Sequence, residues 1–384
     1  MRVNFSITRT RRQAASLQLG LLILTLMLAI SLLPLKAGAS VTRQERPVPL
    51  FAYYYIWFDT ASWDRAKVDF PVLGRYSSDD REVMQEHVRL AKLAGLDGFI
   101  VSWKSTEVLN RRLEQLIEIA DDEDFKLAII YQGLDFERRP QPVTRIAEDL
   151  DFFIDNYSTS NAFTLFKRPV VIWSGSWEFS RDEMASVIEP RRQSLRFLAS
   201  ERNVEGYTRV EDVVEGDAYY WSSVNPATFP GYQEKLNTMA EVIHADNGLW
   251  IAPAAPGFDA RLIGGTQVVE RKNGEVLRQQ MSAAAASSPD AIGLISWNEF
   301  SENSHVEPSV NLGMRYLEVL AEIRGGTINK PGLQVIKGDF DSSEPGWIEI
   351  RPESMVLLAG LATVLFGSVM VVVRRSANYG RRTD

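Results

Sequence analysis

From residue 48 to residue 324, short apolar or aromatic runs alternate with amphipathic stretches, and a chain built on that rhythm has few folds open to it. Strands are expected at 49–57 (PLFAYYYIW), 97–103 (DGFIVSW), 125–132 (FKLAIIYQ), 168–175 (RPVVIWSG), 203–207, 216–221, 248–253 and 291–297. Helices fit 79–94, 107–121, 143–157, 180–199, 232–245 and 275–288. In 79–94, Val83, Val88, Leu90, Ala91 and Ala94 supply an inner face, Asp79 and Asp80 suit the N-terminus, and Gly95 ends the helix. Strand–helix repeats of this kind need a parallel sheet. A doubly wound open sheet gives similar local signals, but nearly eight repeats with aromatic strand ends favour an α/β fold, the (β/α)8 TIM barrel, for which about 280 residues is a usual size.

Both ends of the 384-residue chain differ from this middle. Residues 1–39 hold five basic residues and no acid, with the apolar run 19–35 followed by Ala37-Gly38-Ala39, the pattern of a signal peptide or signal anchor. Residues 355–373 are 19 residues without a charge, followed by Arg374, Arg375, Arg381 and Arg382. That length of helix covers about 28 Å, close to a bilayer's hydrocarbon core, and the arginines would hold the tail 374–384 in the cytoplasm. The expectation is a cell-membrane protein with its middle domain outside the cytoplasm, the lipid bilayer as partner through its terminal helices, a linker at 40–47, and a stalk or small extension at 325–353. Net charge is -8, and without the two ends the balance is 33 basic against 49 acidic residues, which repels phosphate backbones and argues against a nucleic-acid partner. With no cysteine, disulfides and cysteine chemistry are excluded. A monomer is expected.

In a barrel the chemistry lies at the C-terminal ends of the strands. Those ends carry Tyr54, Tyr55, Trp57 and Asp59; Ser102 and Trp103; Tyr131 and Gln132; Trp173; Tyr219, Tyr220 and Trp221; and Trp297, Asn298 and Glu299. Any one aromatic is ordinary core, but their recurrence there suits stacking on a planar or pyranose ligand. The densest polar segment is 295–308, ISWNEFSENSHVEP. Glu299 and Glu302, three apart, face one cavity if they lie on a turn, and two close carboxylates supply an acid and a base. Two alternatives use the same residues: a solvated surface loop, or a divalent-metal site of Glu299, Glu302, His305 and Glu307. The metal site is the weaker, since there are three histidines and no HExxH spacing. A serine hydrolase is weaker still, for there is no GxSxG elbow, and GxGxxG and P-loop motifs are absent, so no nucleotide cofactor is indicated.

Several ordered blocks over about residues 50–320 resemble glycoside hydrolase family 99 and its relatives, the endo-α-mannosidases and endo-α-mannanases. YYYIWFD resembles the family's Tyr-Tyr-x-x-Trp-Tyr opening. Pro71, Gly74, Tyr76 and Ser77 match a Pro…Gly-x-Tyr-Ser segment, and AGLDGFIVSW and KRPVVIW match strands. PGFDARLI resembles Pro-Gly-Tyr-Asp, and SWNEFSENSHVEPS resembles Ser-Trp-Asn-Glu-Trp-His-Glu-Gly-Thr-Gln-Ile-Glu-Pro. The resemblance implies an endo-acting retaining glycoside hydrolase on an α-linked, α-mannoside-like glycan, without metal or organic cofactor. It implies Glu299 as the base that deprotonates the sugar's own 2-hydroxyl, giving a 1,2-anhydro intermediate, and Glu302 as general acid and then base. Tyr54, Trp57, Asp59, Trp103, Gln132, Tyr220, Asp259, Trp297, Asn298, His305 and Glu307 are the expected substrate contacts. The chain departs from the family pattern at Phe300, Ser301 and Asn303-Ser304-His305, and has Tyr131-Gln132-Gly133 where the family has Glu-Pro-Tyr. The alternative is a non-catalytic carbohydrate-binding or envelope protein on a diverged barrel.

Overall fold

A computed structural model describes residues 47–65, 67–135 and 137–328. The barrel lies within the unit Val48–Asp384. Eight parallel strands run β1 (Leu50–Tyr55), β2 (Gly98–Trp103), β3 (Lys126–Gln132), β4 (Val170–Ser174), β5 (Arg196–Leu198), β6 (Gly216–Ala218), β7 (Leu249–Ala254) and, after a small hairpin of β8 (Phe258–Asp259) and β9 (Val268–Val269), β10 (Ala291–Leu294). Their order is β5-β4-β3-β2-β1-β10-β7-β6. Ala199 closes the ring: its N–H donates to the Gly216 carbonyl at 3.0 Å and its carbonyl accepts from Ala218 at 2.9 Å. The expected TIM barrel is therefore present.

Period-2 alternation divides the strand residues into two cores. Phe51, Tyr53, Ile100, Ile130, Ile172 and Ile251 fill the lumen. Leu50, Ala52, Tyr54, Val101, Trp103 and Trp173 face outward and merge with the helices into one larger core. Gly98 and Gly293 make room for the two large lumen rings, since a Cβ there would meet the Phe51 ring at 2.4 Å and the Tyr53 ring at 2.9 Å.

The outer layer contains α1 (Arg81–Leu93), α2 (Glu107–Asp122), α3 (Val143–Asn156), α4 (Arg181–Ile188), α5 (Val204–Thr208), α6 (Tyr232–Ala245), α7 (Glu275–Ala286) and α8 (Arg315–Ile323). Asp80 caps α1, accepting from the Glu82 and Val83 N–H groups, and Gly95 follows at φ +83. One stretch departs from expectation. The helix expected over 180–199 ends at Ile188, because Pro190 lies in a 3-10 turn at Glu189–Arg191, and the chain then forms β5. The strand expected at 203–207 is instead the short helix α5, where the Asn203 side chain accepts from the Gly206 N–H at 2.8 Å.

The membrane expectations are corrected. Among the described residues no helix is long and apolar enough to cross a membrane. The runs at 19–35 and 355–373, from which apolar length alone suggested spanning helices, lie outside the described residues, as do the linker residues 40–46 and 329–353 of the expected stalk. The transmembrane helix, the bilayer partner and the cell-membrane location are accordingly withdrawn, and the signal or anchor at 1–39 lies outside the described residues.

Candidate active site

The segment after β10 folds back on itself. The Ser296 N–H donates to the Ser304 carbonyl at 2.9 Å, and the Val306 and Glu307 N–H groups donate to the Trp297 carbonyl at 3.0 and 2.9 Å. Asn303, at φ +48, occupies a left-handed turn position that asparagine tolerates. The Trp297 N–H donates to the Tyr53 carbonyl at 2.8 Å, and Asn298 then continues the ladder with its side chain. Its Oδ1 accepts from the Tyr55 N–H at 2.9 Å and its Nδ2 donates to the Tyr55 carbonyl at 3.0 Å. One amide side chain thus pairs like a peptide unit with the end of β1 and sets where the next residue, Glu299, begins.

Glu299 is 8% exposed; its Oε1 accepts from the Ser301 N–H at 3.0 Å and its own N–H donates to Ser296 Oγ at 2.8 Å. Burial and then the Glu302 charge push its carboxyl up to about 7, opposed by the Ser301 hydrogen bonds and by Lys67. Burial also raises Glu302, which Arg138 holds back. The Glu302 Oε2 is buried and lacks a hydrogen-bond partner among the described residues, while its backbone carbonyl accepts from the Asp259 N–H at 2.8 Å. The Glu302 charge adds to the rise at Glu299, whereas the raised Glu302 owes its shift to burial. Tyr55 and Tyr220, hydroxyl to hydroxyl at 2.8 Å, feel both carboxylates, and burial with those charges raises both phenols, so they remain neutral donors. Trp57, 41% exposed, stacks on the Tyr55 ring at 4.4 Å. Gln132 Nε2 donates to Ser102 Oγ at 3.0 Å.

Glu299, Glu302, Tyr220, Trp57 and Gln132 are thus at the C-terminal ends of the strands, and Asp259 lies against the Glu302 backbone with its carboxylate held by Arg261 Nε at 2.9 Å. Asp59 is exposed and caps the turn Thr60–Asp64. Five expected contacts are placed elsewhere. Tyr54, Trp103 and Trp297 belong to the outer core. His305, 0% exposed, stacks on Phe300 at 4.0 Å with Nε2 3.4 Å from Asp69 Oδ2; burial and then the Arg271 charge push it down to about 4, so it is neutral. Glu307, 1% exposed, accepts from Tyr76 at 2.9 Å and pairs with His87 Nε2 at 3.0 Å. The four residues of the alternative metal site therefore do not converge: Glu299 and Glu302 share one place, His305 is behind Phe300, and Glu307 is engaged by His87 and Tyr76. Sequence reasoning missed Lys67, Arg138, His87 and Arg271, whose Nη2 holds the Asn303 and His305 carbonyls at 2.8 Å each. His87 did leave a signal, a histidine on the inner face of a predicted helix. A further cleft of about 300 Å³, lined by Trp177, Glu201, Arg202 and Arg209 among others, lies by the loops after β4 and β5, across the ring from β10.

The raised Glu299 affects folding stability in a definite direction. With about 7 in the folded chain against an ordinary 4.5, the folded state holds more protons between those values, so stability falls as pH rises through the window and the loss is complete above it. At 1.36 kcal/mol per pH unit the cost above pH 7 is about 3 kcal/mol. Glu299→Gln should therefore be more stable than the parent at pH 8, by about 1–3 kcal/mol, and nearly equal to it at pH 4. Denaturant midpoints measured across that range decide it; a difference that does not change with pH contradicts the buried placement.

A parallel barrel with an acid pair on a strand-end loop defines a class of carboxylate-bearing (β/α)8 proteins, and comparison with known proteins narrows it. The structure superimposes on the endo-alpha-mannosidase from Bacteroides thetaiotaomicron solved with bis-tris-propane, with TM-score 0.63 and 20% identity, covering 72% of this chain and 98% of that one. A second structure of that protein gives TM-score 0.61 at 19% identity, covering 72% and 97%. The chain belongs to glycosyl hydrolase family 99, whose family model matches residues 54–321. Among curated relatives, a glycoprotein endo-alpha-1,2-mannosidase-like protein of Danio rerio is 24% identical over 64% of this chain and 60% of its own length. The corresponding Homo sapiens protein is 23% identical over 63% and 57%. The chain thus spans about 60% of the length of these relatives.

Proposed function

We propose that the chain is a glycoside hydrolase that cleaves an internal α-linked bond of a mannoside-type glycan with retention of configuration. The observation that carries this reading is the acid pair: Glu299 and Glu302 stand on one loop at the barrel mouth, both raised above the ordinary carboxylate range. In this reading Glu299, close to neutrality, takes the proton of the sugar's 2-hydroxyl, whose oxygen attacks the neighbouring anomeric carbon. Glu302, with one oxygen buried and unpartnered, protonates the departing glycosidic oxygen and later activates the water that opens the 1,2-anhydro ring. The neutral phenols of Tyr55 and Tyr220 and the open face of Trp57 suit a sugar's hydroxyls and apolar face. The relatives' names favour an α-1,2-mannoside as the first substrate to try.

The test incubates the full chain with α- and β-linked manno-, gluco- and galacto-oligosaccharides, follows new reducing ends, and reads the anomer first released by NMR. Cleavage of an α-linked member with the α-anomer appearing first is expected. Cleavage of β-linked members alone, or first release of the inverted anomer, rejects the mechanism; binding without cleavage of any member favours a carbohydrate-binding protein.

A further inference from the structure

The turn that carries Glu302 is held from outside by one insertion, residues 255–274 between β7 and α7. β7 and β10 are neighbours in the ring, so the loop after β7 lies beside the loop after β10. The hairpin pairs Phe258 with Val269 and Asp259 with Val268, and both of its arms reach the turn. From the first arm, the Asp259 N–H donates to the Glu302 carbonyl at 2.8 Å. From just past the second, Arg271 Nη2 donates to the Asn303 and His305 carbonyls at 2.8 Å each. The carbonyls of residues 302, 303 and 305 are thus anchored to one hairpin, and that of Ser304 accepts from the Ser296 N–H within the loop itself.

Arg271 is built into this place. Its Nη2 has two hydrogens, one for each carbonyl, and lies 3.4 Å from Nδ1 of His305, whose Nε2 faces Asp69. The guanidinium carbon sits over the Tyr316 ring at 4.6 Å. A Cβ on Gly257, at φ +151, would meet the arginine's Cγ at 2.5 Å, so the glycine leaves the room that the stem needs. Nε and Nη1 are buried and lack a hydrogen-bond partner among the described residues. Filling the space alone does not account for such a group, because an apolar side chain would fill it without burying unpaired N–H donors. What the arginine adds is a grip on two carbonyls of one turn. That turn needs outside support, since Asn303 holds a left-handed conformation at φ +48.

We propose that Arg271 is the positioning residue of the acid/base: it fixes the turn 302–305 and thereby aims the Glu302 carboxyl at the departing oxygen. This rests on the glycosidase reading above for what Glu302 does, and deepens it by naming the group that holds Glu302 in place. Arg271 acts through the backbone of the turn, not on the sugar. A reacting group misplaced by about 1 Å loses about 10²-fold in rate.

The experiment compares the full chain with Arg271→Met and Arg271→Lys in two ways. The first is amide hydrogen exchange without ligand. The Ser301, Asn303, Ser304 and Val306 N–H groups are all hydrogen-bonded inside the loop. In Arg271→Met they should exchange at least about tenfold faster, while α1 and α2 stay within about twofold of the parent. The second is kinetics on one α-linked sugar with two leaving groups. On the sugar-alcohol leaving group kcat should fall about 10²-fold with KM within about threefold, and on an acidic, activated one kcat should fall less than about fivefold. Added to Glu302→Gln, Arg271→Met should lower kcat by less than about threefold more, because the group it aims is already gone. Arg271→Lys keeps the charge and reaches one carbonyl, and should show the same asymmetry at about tenfold; it decides the matter if the methionine variant does not fold. Unchanged exchange over 301–306, exchange raised equally throughout the barrel, or equal losses on both leaving groups overturns the proposal. A parent that cleaves no glycoside rejects the hydrolase alone, and exchange then decides whether Arg271 fixes the turn.

Discussion

Glu302→Gln is expected to lower kcat/KM by about 10²–10⁴ on a glycoside whose leaving group is a sugar alcohol, and much less on the same sugar carrying an acidic, activated leaving group. The asymmetry follows from the role: a good leaving group departs without a proton, so losing the acid matters only when the proton is needed. Glu299→Gln is expected to lower both substrates alike by a similar factor, because the nucleophilic oxygen must lose its proton whatever departs. A substrate deoxygenated or methylated at C2 should not turn over, since that oxygen makes the new bond to the anomeric carbon. In the pH profile of kcat/KM, the Glu299 carboxyl at about 7 should set the rising limb, and the residual activity of Glu299→Gln should lack that limb. Equal losses for Glu302→Gln on both leaving groups, or turnover of the 2-deoxy sugar at the parent rate, reject these assignments. If the two acids were solvated loop residues, both variants would keep full activity and change stability by less than about 0.5 kcal/mol.

Much of the fold was legible because its signals are local. The end of α1 is written in Asp80 and Gly95, and α6 occupies 232–245 as its pattern implies. The strand at Arg196–Leu198 was not legible, since three residues cannot display a period and the preceding segment reads as helix up to the proline. The acid pair was legible for a similar reason, being two glutamates on a single loop. The surrounding contacts were less so, because barrel strands are buried on both faces. Tyr54 and Tyr55, or Ser102 and Trp103, are equally apolar in their neighbourhoods, and composition does not reveal which of each pair faces the lumen. The structure turns Tyr54, Trp103 and Trp297 to the helices and leaves Tyr55, Ser102 and Gln132 on the lumen side, so the largest ring was not the better guide. Arg138 was illegible for another reason: its relation to Glu302 joins the loop after β3 to the loop after β10, and no spacing in sequence records that proximity.

Glu307→Ala is expected to cost about 3–5 kcal/mol of stability with no substrate present. Glu307 was read from sequence as a substrate contact, and in the structure it is the acceptor at the centre of a buried chain. Its Oε1 pairs with His87 Nε2 at 3.0 Å, while His87 Nδ1 and the Tyr54 hydroxyl are 2.9 Å apart. Its Oε2 accepts from the Tyr76 hydroxyl at 2.9 Å, and that hydroxyl accepts in turn from Asn298 Nδ2 at 3.3 Å. Removing the carboxylate leaves the groups facing it on His87 and Tyr76 buried without their partner, which costs more than the net value of the bonds lost. Glu307→Gln keeps one acceptor oxygen and the side chain's volume, and should recover at least half of the loss. Because Asn298 holds the end of β1 and precedes Glu299, both variants should also lower kcat while leaving KM within about threefold, the pattern of a residue acting through the catalytic loop. Chemical denaturation without ligand and a kcat-against-KM comparison decide the matter. An Ala variant as stable as its parent but with KM raised tenfold would return Glu307 to direct contact with the glycan.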